Sequence, residues 1–309
     1  MKILLYADLL QSNQDELKKR LPKAELVSKE GLSGEELKEK FKWAEILIGN
    51  PPVEMFDGTE SNLKFWQLEN VGFEKYKDLD FKGTVANVGD ISAVPCAETI
   101  VSGILAFYRG IHSMVRYQLK QHWVGEEIEN ELQILGEKNV IILGSGAIGE
   151  HINKLLTAFG CKVQMTAKSD PDADIHSVDE LKKRLPDADL IINTLPGNLD
   201  NYVSADLFDI MKEGTLYASV GRGNTTDEAA LVKALESRKL VGAVLDVTVM
   251  EPLPANRKLW KMENVILTQH TGAAHKNRER DKVRKFAENI NQFIKGDTVT
   301  DEVKLSDGY

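Results

Sequence analysis

Residues 139–149 read Asn-Val-Ile-Ile-Leu-Gly-Ser-Gly-Ala-Ile-Gly, and no other stretch limits the possible folds of this chain so tightly. An apolar, β-branched run (Val140–Leu143) leads into Gly144, Gly146 and Gly149, and an amphipathic segment starts at Ala147. Strand, glycine turn and helix in that order make the cradle that holds a dinucleotide pyrophosphate. Gly144 permits the tight turn, Gly146 lets backbone approach the phosphates, and Gly149 lets helix and strand pack closely. The N–H groups at the helix N-terminus then face the anion. Ser145, Ala147 and Ile148 complete the loop. The motif begins near the middle of the chain, so another structural unit precedes it.

Apolar β-rich runs alternate with helical patterns along the whole sequence, which predicts parallel sheets covered by helices. Before the glycine loop the strand candidates are Ile3–Ala7, Leu26–Ser28, Ile46–Gly49, Phe65–Leu68 and Val85–Val88. Helical stretches, such as 15–20 and 35–41, lie between them, and Ser33 with Glu36 forms a capping-box pattern at the start of the second. One long helix is predicted from about Ala97 to His122. From the loop onward, strands are expected at Val140–Leu143, Val163–Thr166, Leu190–Asn193, Thr215–Val220, Val241–Asp246 and Val265–Thr268. Helices should start near Ala147, Ser177, Ser204 and Thr226, and a charged helix should run from His275 to Lys295. Its Lys276, Arg278, Arg280, Lys282, Arg284 and Lys285 read as a solvated face.

Three hundred and nine residues suffice for two cores, and 42% hydrophobic with 28% charged residues is a globular composition. A net charge of −9 argues against nucleic acid or an anionic membrane as the main partner. No run approaches the ~20 apolar residues of a membrane span, and the N-terminal apolar run, cut short by Asp8, reads as a strand rather than a signal segment. Cys96 and Cys161 lack metal-ligand spacing and read as reduced packing residues of a cytoplasmic protein; no metal is expected.

Ligands of such sheets bind beyond the carboxyl ends of the strands, so polar residues there are the candidates. Arg222 follows the strand ending at Val220. Asp246 closes the next strand, with Glu251 five residues on, and His270 follows the last. These types suit hydride transfer to a 2-keto acid. An arginine fork grips carboxylate and ketone oxygens. An imidazole, with an ordinary pKa of about 6.5, exchanges a proton near neutrality. A carboxylate beside it fixes the tautomer. A positioned acid of this kind contributes roughly 10²–10⁴ in rate. His112, His122, His151, His176 and His275 read as structural.

Over nearly its whole length the chain resembles the D-isomer-specific 2-hydroxyacid dehydrogenases. The resemblance rests on the glycine loop 143–149, Val220-Gly-Arg-Gly223, Leu245-Asp-Val247 with Glu251-Pro-Leu-Pro254, and Asn264-Val-Ile-Leu-Thr-Gln-His270. Ala97-Glu98 and Gly308-Tyr309 are lesser matches. It implies two Rossmann-like α/β lobes with parallel sheets, the cofactor domain (103–276) inserted into a flavodoxin-like substrate domain (1–102 and 277–309). The active site would lie in a cleft between the lobes. The resemblance assigns catalysis to Arg222, Glu251 and His270, and dinucleotide contacts to Leu195, Pro196, Val220, Asp246 and Gly272 beside the glycine loop. It also places Val71 and Gly72, with Arg222, at the substrate carboxylate. Glyoxylate or hydroxypyruvate reduction and a homodimer paired through the cofactor domain are implied by the same likeness.

Two positions depart from the family pattern. Where an acidic residue usually grips the NAD ribose, this chain has Ala167 followed by Lys168 and Ser169, which suits the 2′-phosphate of NADP. The alternative is that Asp170 takes the ribose hydroxyls of NAD. Gln269 stands where proline usually precedes the histidine, and is expected to loosen the approach to His270. Two other functions share the fold, a dinucleotide-sensing corepressor and a formate dehydrogenase. The complete arginine–glutamate–histidine set argues against the latter, which has no alkoxide to protonate.

Overall fold

A computed structural model describes residues 1–57 and 61–308. In chain order the elements are β1 (Lys2–Leu5), α1 (Gln11–Arg20), β2 (Glu25–Ser28), α2 (Gly34–Trp43), β3 (Ile46–Ile48), β4 (Phe65–Gln67) and β5 (Thr84–Ala86). There follow α3 (Ala93–Tyr108), α4 (Ile111–Leu119), β6 (Asn139–Leu143), α5 (Ala147–Ala158), β7 (Lys162–Thr166), α6 (Val178–Arg184), β8 (Leu190–Asn193) and α7 (Ala205–Ile210). The remainder is β9 (Thr215–Ser219), α8 (Glu228–Glu236), β10 (Leu240–Leu245), β11 (Val265–Leu267), α9 (Arg278–Lys295) and β12 (Glu302–Val303). Tyr309, part of one lesser family match, lies outside the described residues.

The chain divides into two compact units, residues 1–91 with the segment returning at His275, and residues 92–274. The first junction therefore falls before α3, not within it at 102/103. The cause is packing: Ala97, Ile100, Val101 and Ile104 of α3 share one buried cluster with Val140, Ile142, Ile152 and Leu156.

In the first unit the sheet order is β12-β5-β4-β3-β1-β2, parallel except for β12. This is the flavodoxin-like order with one antiparallel strand added at the edge. Alternation along β1 and β3 sends Ile3, Leu5, Ile46 and Ile48 toward α1 and α9, and Leu4 and Leu47 toward α2. The α9 helix buries Val283, Phe286, Ala287 and Ile290, the spacing of one helical face. Its basic run is not wholly solvated, as the sequence had suggested. Lys282 is 7% exposed and pairs with Glu279 at 3.4 Å. Lys285 reaches Asp301 at 3.0 Å. The segment carrying β12 folds back over the helix and supplies that carboxylate, which makes burial of the ammonium tolerable.

In the second unit the order is β11-β10-β9-β8-β6-β7, all parallel. A single parallel bridge, Thr166 to Ile175, stands at its β7 edge where a Rossmann sheet has one more strand. The predicted helix 97–122 is two helices, because Gly110 adopts φ +64 between α3 and α4. The first also begins earlier than predicted, since Pro95 is tolerated in a first helical turn. The α8 helix starts at Glu228 with Asp227 as its cap, accepting from Ala230 N–H. Thr226, the expected start, turns inward instead. Among the described residues, no helix is long and apolar enough to cross a membrane. Both cysteines are buried thiols outside any disulfide.

Candidate active site

The glycine loop follows β6 and opens α5. Gly144 sits at φ +106, and a Cβ on Gly149 would come within 2.3 Å of the Gly144 carbonyl oxygen. Both positions therefore exclude a side chain. Around Gly146 a Cβ would meet nothing within 4 Å, and the residue is exposed, so the concavity before α5 is open. No side chain caps α5. Its first N–H groups remain available to an anion, and the residues fit a pyrophosphate. Among neighbouring candidates, Leu195 and Val220 are buried, with Pro196 half-buried between the loop ends.

At the end of β7, Lys168 and Ser169 are exposed. Asp170 behaves differently from both. Its carboxylate is held below the usual range by a hydrogen bond from the Ser145 hydroxyl and by the Asp172 N–H. The glycine loop and the β7 loop are thus tied by a Ser145–Asp170 contact that the sequence did not reveal.

The ends of β9, β10 and β11 are neighbours, and a run of backbone hydrogen bonds crosses them. Asp246 N–H donates to the Ser219 carbonyl at 2.9 Å, and His270 N–H donates to the Asp246 carbonyl at 2.5 Å. The Asp246 carboxylate is 4% exposed. Its Oδ1 accepts from the Thr268 hydroxyl at 2.6 Å and from the Thr271 and Gly272 N–H groups at 3.0 and 3.1 Å. Asp246 therefore builds the turn that carries His270, and Gly272 is drawn in because a Cβ there would reach 2.6 Å from Asp246 Oδ2.

Gln269 and His270 both lie in the left-handed region, at φ +57 and +55. Proline, fixed near −65°, has no access to that conformation. Gln269 is thus no looser substitute for the usual proline; this turn excludes proline.

His270 Nδ1 meets Glu251 Oε2 at 2.5 Å, with side-chain exposures of 52% and 34%. Glu251 Oε1 in turn accepts from the Thr248 N–H at 2.9 Å. A carboxylate on Nδ1 assigns the proton to that nitrogen in the neutral ring and leaves Nε2 for the substrate. Thr248 also buttresses the arginine loop: a Cβ on Gly223 would fall 1.9 Å from the Thr248 carbonyl oxygen. On the other side, a Cβ on Gly221 would fall 2.5 Å from that of Leu195. Arg222 is clamped between two backbones, half-buried, with Nη1 donating to the Gly221 carbonyl at 3.1 Å. A cavity of about 370 Å³ opens beside the pair, lined by His270, Glu251, Asp246, Trp260, Leu253 and Leu267 among others.

The structure therefore brings Arg222, Glu251, His270 and Asp246 to adjacent strand ends. Val71 and Gly72 belong to the first unit, in the loop after β4, where the Val71 carbonyl accepts from Asn87 Nδ2 at 3.2 Å. Thr248 was missed because a backbone N–H leaves no mark in a sequence. His112, His151 and His176 each bond a backbone carbonyl through Nδ1. No group of three or more potential metal ligands occurs among the described residues.

Residues 101–272 match the model of the D-isomer specific 2-hydroxyacid dehydrogenase NAD binding domain. The chain is 31% identical over 287 residues to a protein of the proB 3′ region of Corynebacterium melassecola, covering 89% of this chain and 93% of that one. It is 32% identical over 179 residues to glyoxylate/hydroxypyruvate reductase A of Salmonella heidelberg, covering 56% of this chain and 57% of the reductase. Among solved structures, a D-isomer specific 2-hydroxyacid dehydrogenase of Xanthobacter autotrophicus in complex with NADPH and MES superposes with a TM-score of 0.84. The identity is 23%, and 99% of each chain is covered. With its glycine cradle and this matched domain, the chain belongs to the NAD(P)-dependent D-isomer specific 2-hydroxyacid dehydrogenase family.

Proposed function

We propose that the protein reduces a small 2-keto acid to the D-2-hydroxy acid, with glyoxylate and hydroxypyruvate as first candidates, and prefers NADPH. The observation that carries this reading is the Glu251–His270 contact of 2.5 Å between the segments that follow β10 and β11, with β10 the neighbour of β9, which Arg222 follows. The dinucleotide, when bound, supplies the hydride. Arg222 holds the carboxylate and polarises the ketone. His270 gives the Nε2 proton to the ketone oxygen as it becomes an alkoxide, and Glu251 keeps the ring oriented and balances the imidazolium. In the reverse direction His270 Nε2 takes the hydroxyl proton.

Preference for NADPH is supported by Ala167 at the usual acidic position and by exposed Lys168 and Ser169 beside it. The competing acceptor, Asp170, is engaged by Ser145 and Asp172. The Xanthobacter relative was solved with NADPH. We further propose that the protein works in a reducing, cytoplasmic setting, given two buried thiols that form no disulfide. We also propose that it pairs as a homodimer through α4.

A screen of 2-keto acids with NADPH and NADH tests the reading. Turnover is expected, with a higher kcat/KM for NADPH, and His270→Ala should lower kcat at least about 100-fold. Lys168→Ala should cut kcat/KM for NADPH about tenfold with little change for NADH, the worth of one charge-assisted contact. Full activity in His270→Ala would remove the proposed acid. A clear NADH preference would remove the role of Lys168. Tight dinucleotide binding without turnover on any acid would favour a sensing function.

A further inference from the structure

Four polar side chains are buried together behind the arginine loop, where a packing role alone needs only apolar ones. Asn193 ends β8, Tyr217 lies in β9, and Thr225 and Thr226 follow the loop; the first three are 0% exposed and Thr226 is 5% exposed. Asn193 Nδ2 donates to Tyr217 OH at 3.0 Å and to Thr225 Oγ1 at 2.8 Å. Its Oδ1 accepts from Leu195 N–H at 3.0 Å. Tyr217 OH and Thr226 Oγ1 are 2.6 Å apart. Burial pushes the Tyr217 phenol up, so it stays a neutral donor. The last link leaves the cluster: Thr225 Oγ1 donates to the Arg222 carbonyl at 2.6 Å.

We propose that this Asn193–Tyr217–Thr225–Thr226 network is the positioning element of Arg222, with Thr225 as the direct link. The proposal rests on the assignment of Arg222 to the substrate carboxylate. The physical basis is that a buried polar group left without a partner is costly. Another path for residues 221–225 would take the Thr225 hydroxyl away from both the Asn193 amide and the Arg222 carbonyl. The network thus favours the observed path of the loop, and it holds the backbone root of Arg222 without touching the ligand. Because Asn193 also holds the Leu195 N–H, the same hub sets the loop assigned to the dinucleotide. Loss of the Thr225 hydroxyl removes the shorter of two bonds to the Arg222 carbonyl, which keeps the Thr225 N–H at 3.2 Å, and leaves the Leu195 link in place.

Thr225→Val keeps the shape and removes the hydroxyl, and Thr225→Ser keeps the hydroxyl. With the best acid of the screen as substrate, Thr225→Val should raise its KM about tenfold. It should change kcat less than about threefold and leave the NADPH dissociation constant unaltered, since lost ground-state grip appears in KM. Thr225→Ser should restore KM. Tyr217→Phe, which keeps the ring in place, should move KM the same way by a smaller factor, and serves if Thr225→Val does not fold. An unchanged KM in either variant overturns the proposal, as does a KM rise matched by an equal loss of NADPH affinity, which is general loosening. Arg222→Ala is measured in parallel. If it leaves KM unchanged, the Arg222 assignment fails and this proposal with it; if it raises KM while Thr225→Val does not, the network alone is wrong.

Discussion

At the scale of single residues, the set proposed for catalysis was picked out by side-chain type and strand-end position. Arg222, Glu251 and His270 are found where the spacing put them, with a 2.5 Å contact between the last two. What the sequence hid was conformation. Gln269 looks like a milder residue in a proline position, yet its φ of +57 and the +55 of His270 define a different turn. Two left-handed non-glycine residues cost about 1–2 kcal/mol each. The Asp246 carboxylate, which accepts from Thr268, Thr271 and Gly272, offsets that cost. Gln269→Pro should therefore lower both the melting temperature and kcat, by at least about tenfold for kcat, because proline must rebuild the turn. Gln269→Gly should melt no lower than wild type and keep its activity. A fully active, undiminished Gln269→Pro would show that the turn is not left-handed. Asp246 was expected to contact the dinucleotide; its observed partners are the turn's own donors, and such local bonding leaves no mark in residue type or spacing.

At the scale of elements, period and capping located the strands well, and missed where tertiary bonding overrode propensity. The 97–122 helix was one apolar pattern, and the φ of +64 at Gly110 breaks it. A glycine inside a helical pattern does not announce whether it bends or continues. The corner so formed holds His112, stacked on Phe107 at 4.9 Å, with Nδ1 on the Ala106 carbonyl at 3.2 Å. Burial lowers the His112 pKa, aided by the Arg116 charge and opposed by the Ala106 bond and Glu131. The unfolded chain then binds this proton at a higher pH than the fold does. Stability from the neutral ring is complete above about pH 6.5 and is lost as pH falls toward the lower folded value. Thermal melts of wild type and His112→Gln between pH 8 and 5 should show a steeper acid decline in wild type. Parallel curves would mean that the corner does not discriminate against the imidazolium.

At the scale of the whole molecule, the alternation of apolar and helical runs was enough for parallel sheets covered by helices, the glycine loop marked the Rossmann unit, and the flavodoxin-like plan came with the family resemblance. The junctions were less legible, because α3 belongs by packing and not by motif to the inserted unit. The same unit carries an unburied apolar stripe. Within α4, Ile111, Val115 and Leu119 recur every four residues at 49, 49 and 81% exposure, and Trp123 beyond them is 93% exposed. No residue of α4 is buried. An exposed apolar stripe of this kind marks an interface, and the homodimer proposed above would cover it. Sedimentation should give a dimer for wild type and a monomer for Leu119→Glu with Trp123→Ser. An unaltered dimer would move the interface elsewhere, and a monomeric wild type would remove it.

The insertion has a consequence for how the chain is made. The first unit lacks a core face until α9 arrives, since Val283, Phe286, Ala287 and Ile290 pack there against Ile3, Leu5 and Phe65. The inserted unit has every residue it needs once Ala274 is synthesised, and the Thr99 hydroxyl meets the Gly272 carbonyl at 3.3 Å near its two ends. On the ribosome, the segment begun second is thus the first able to fold, while the N-terminal strands wait for their final helix.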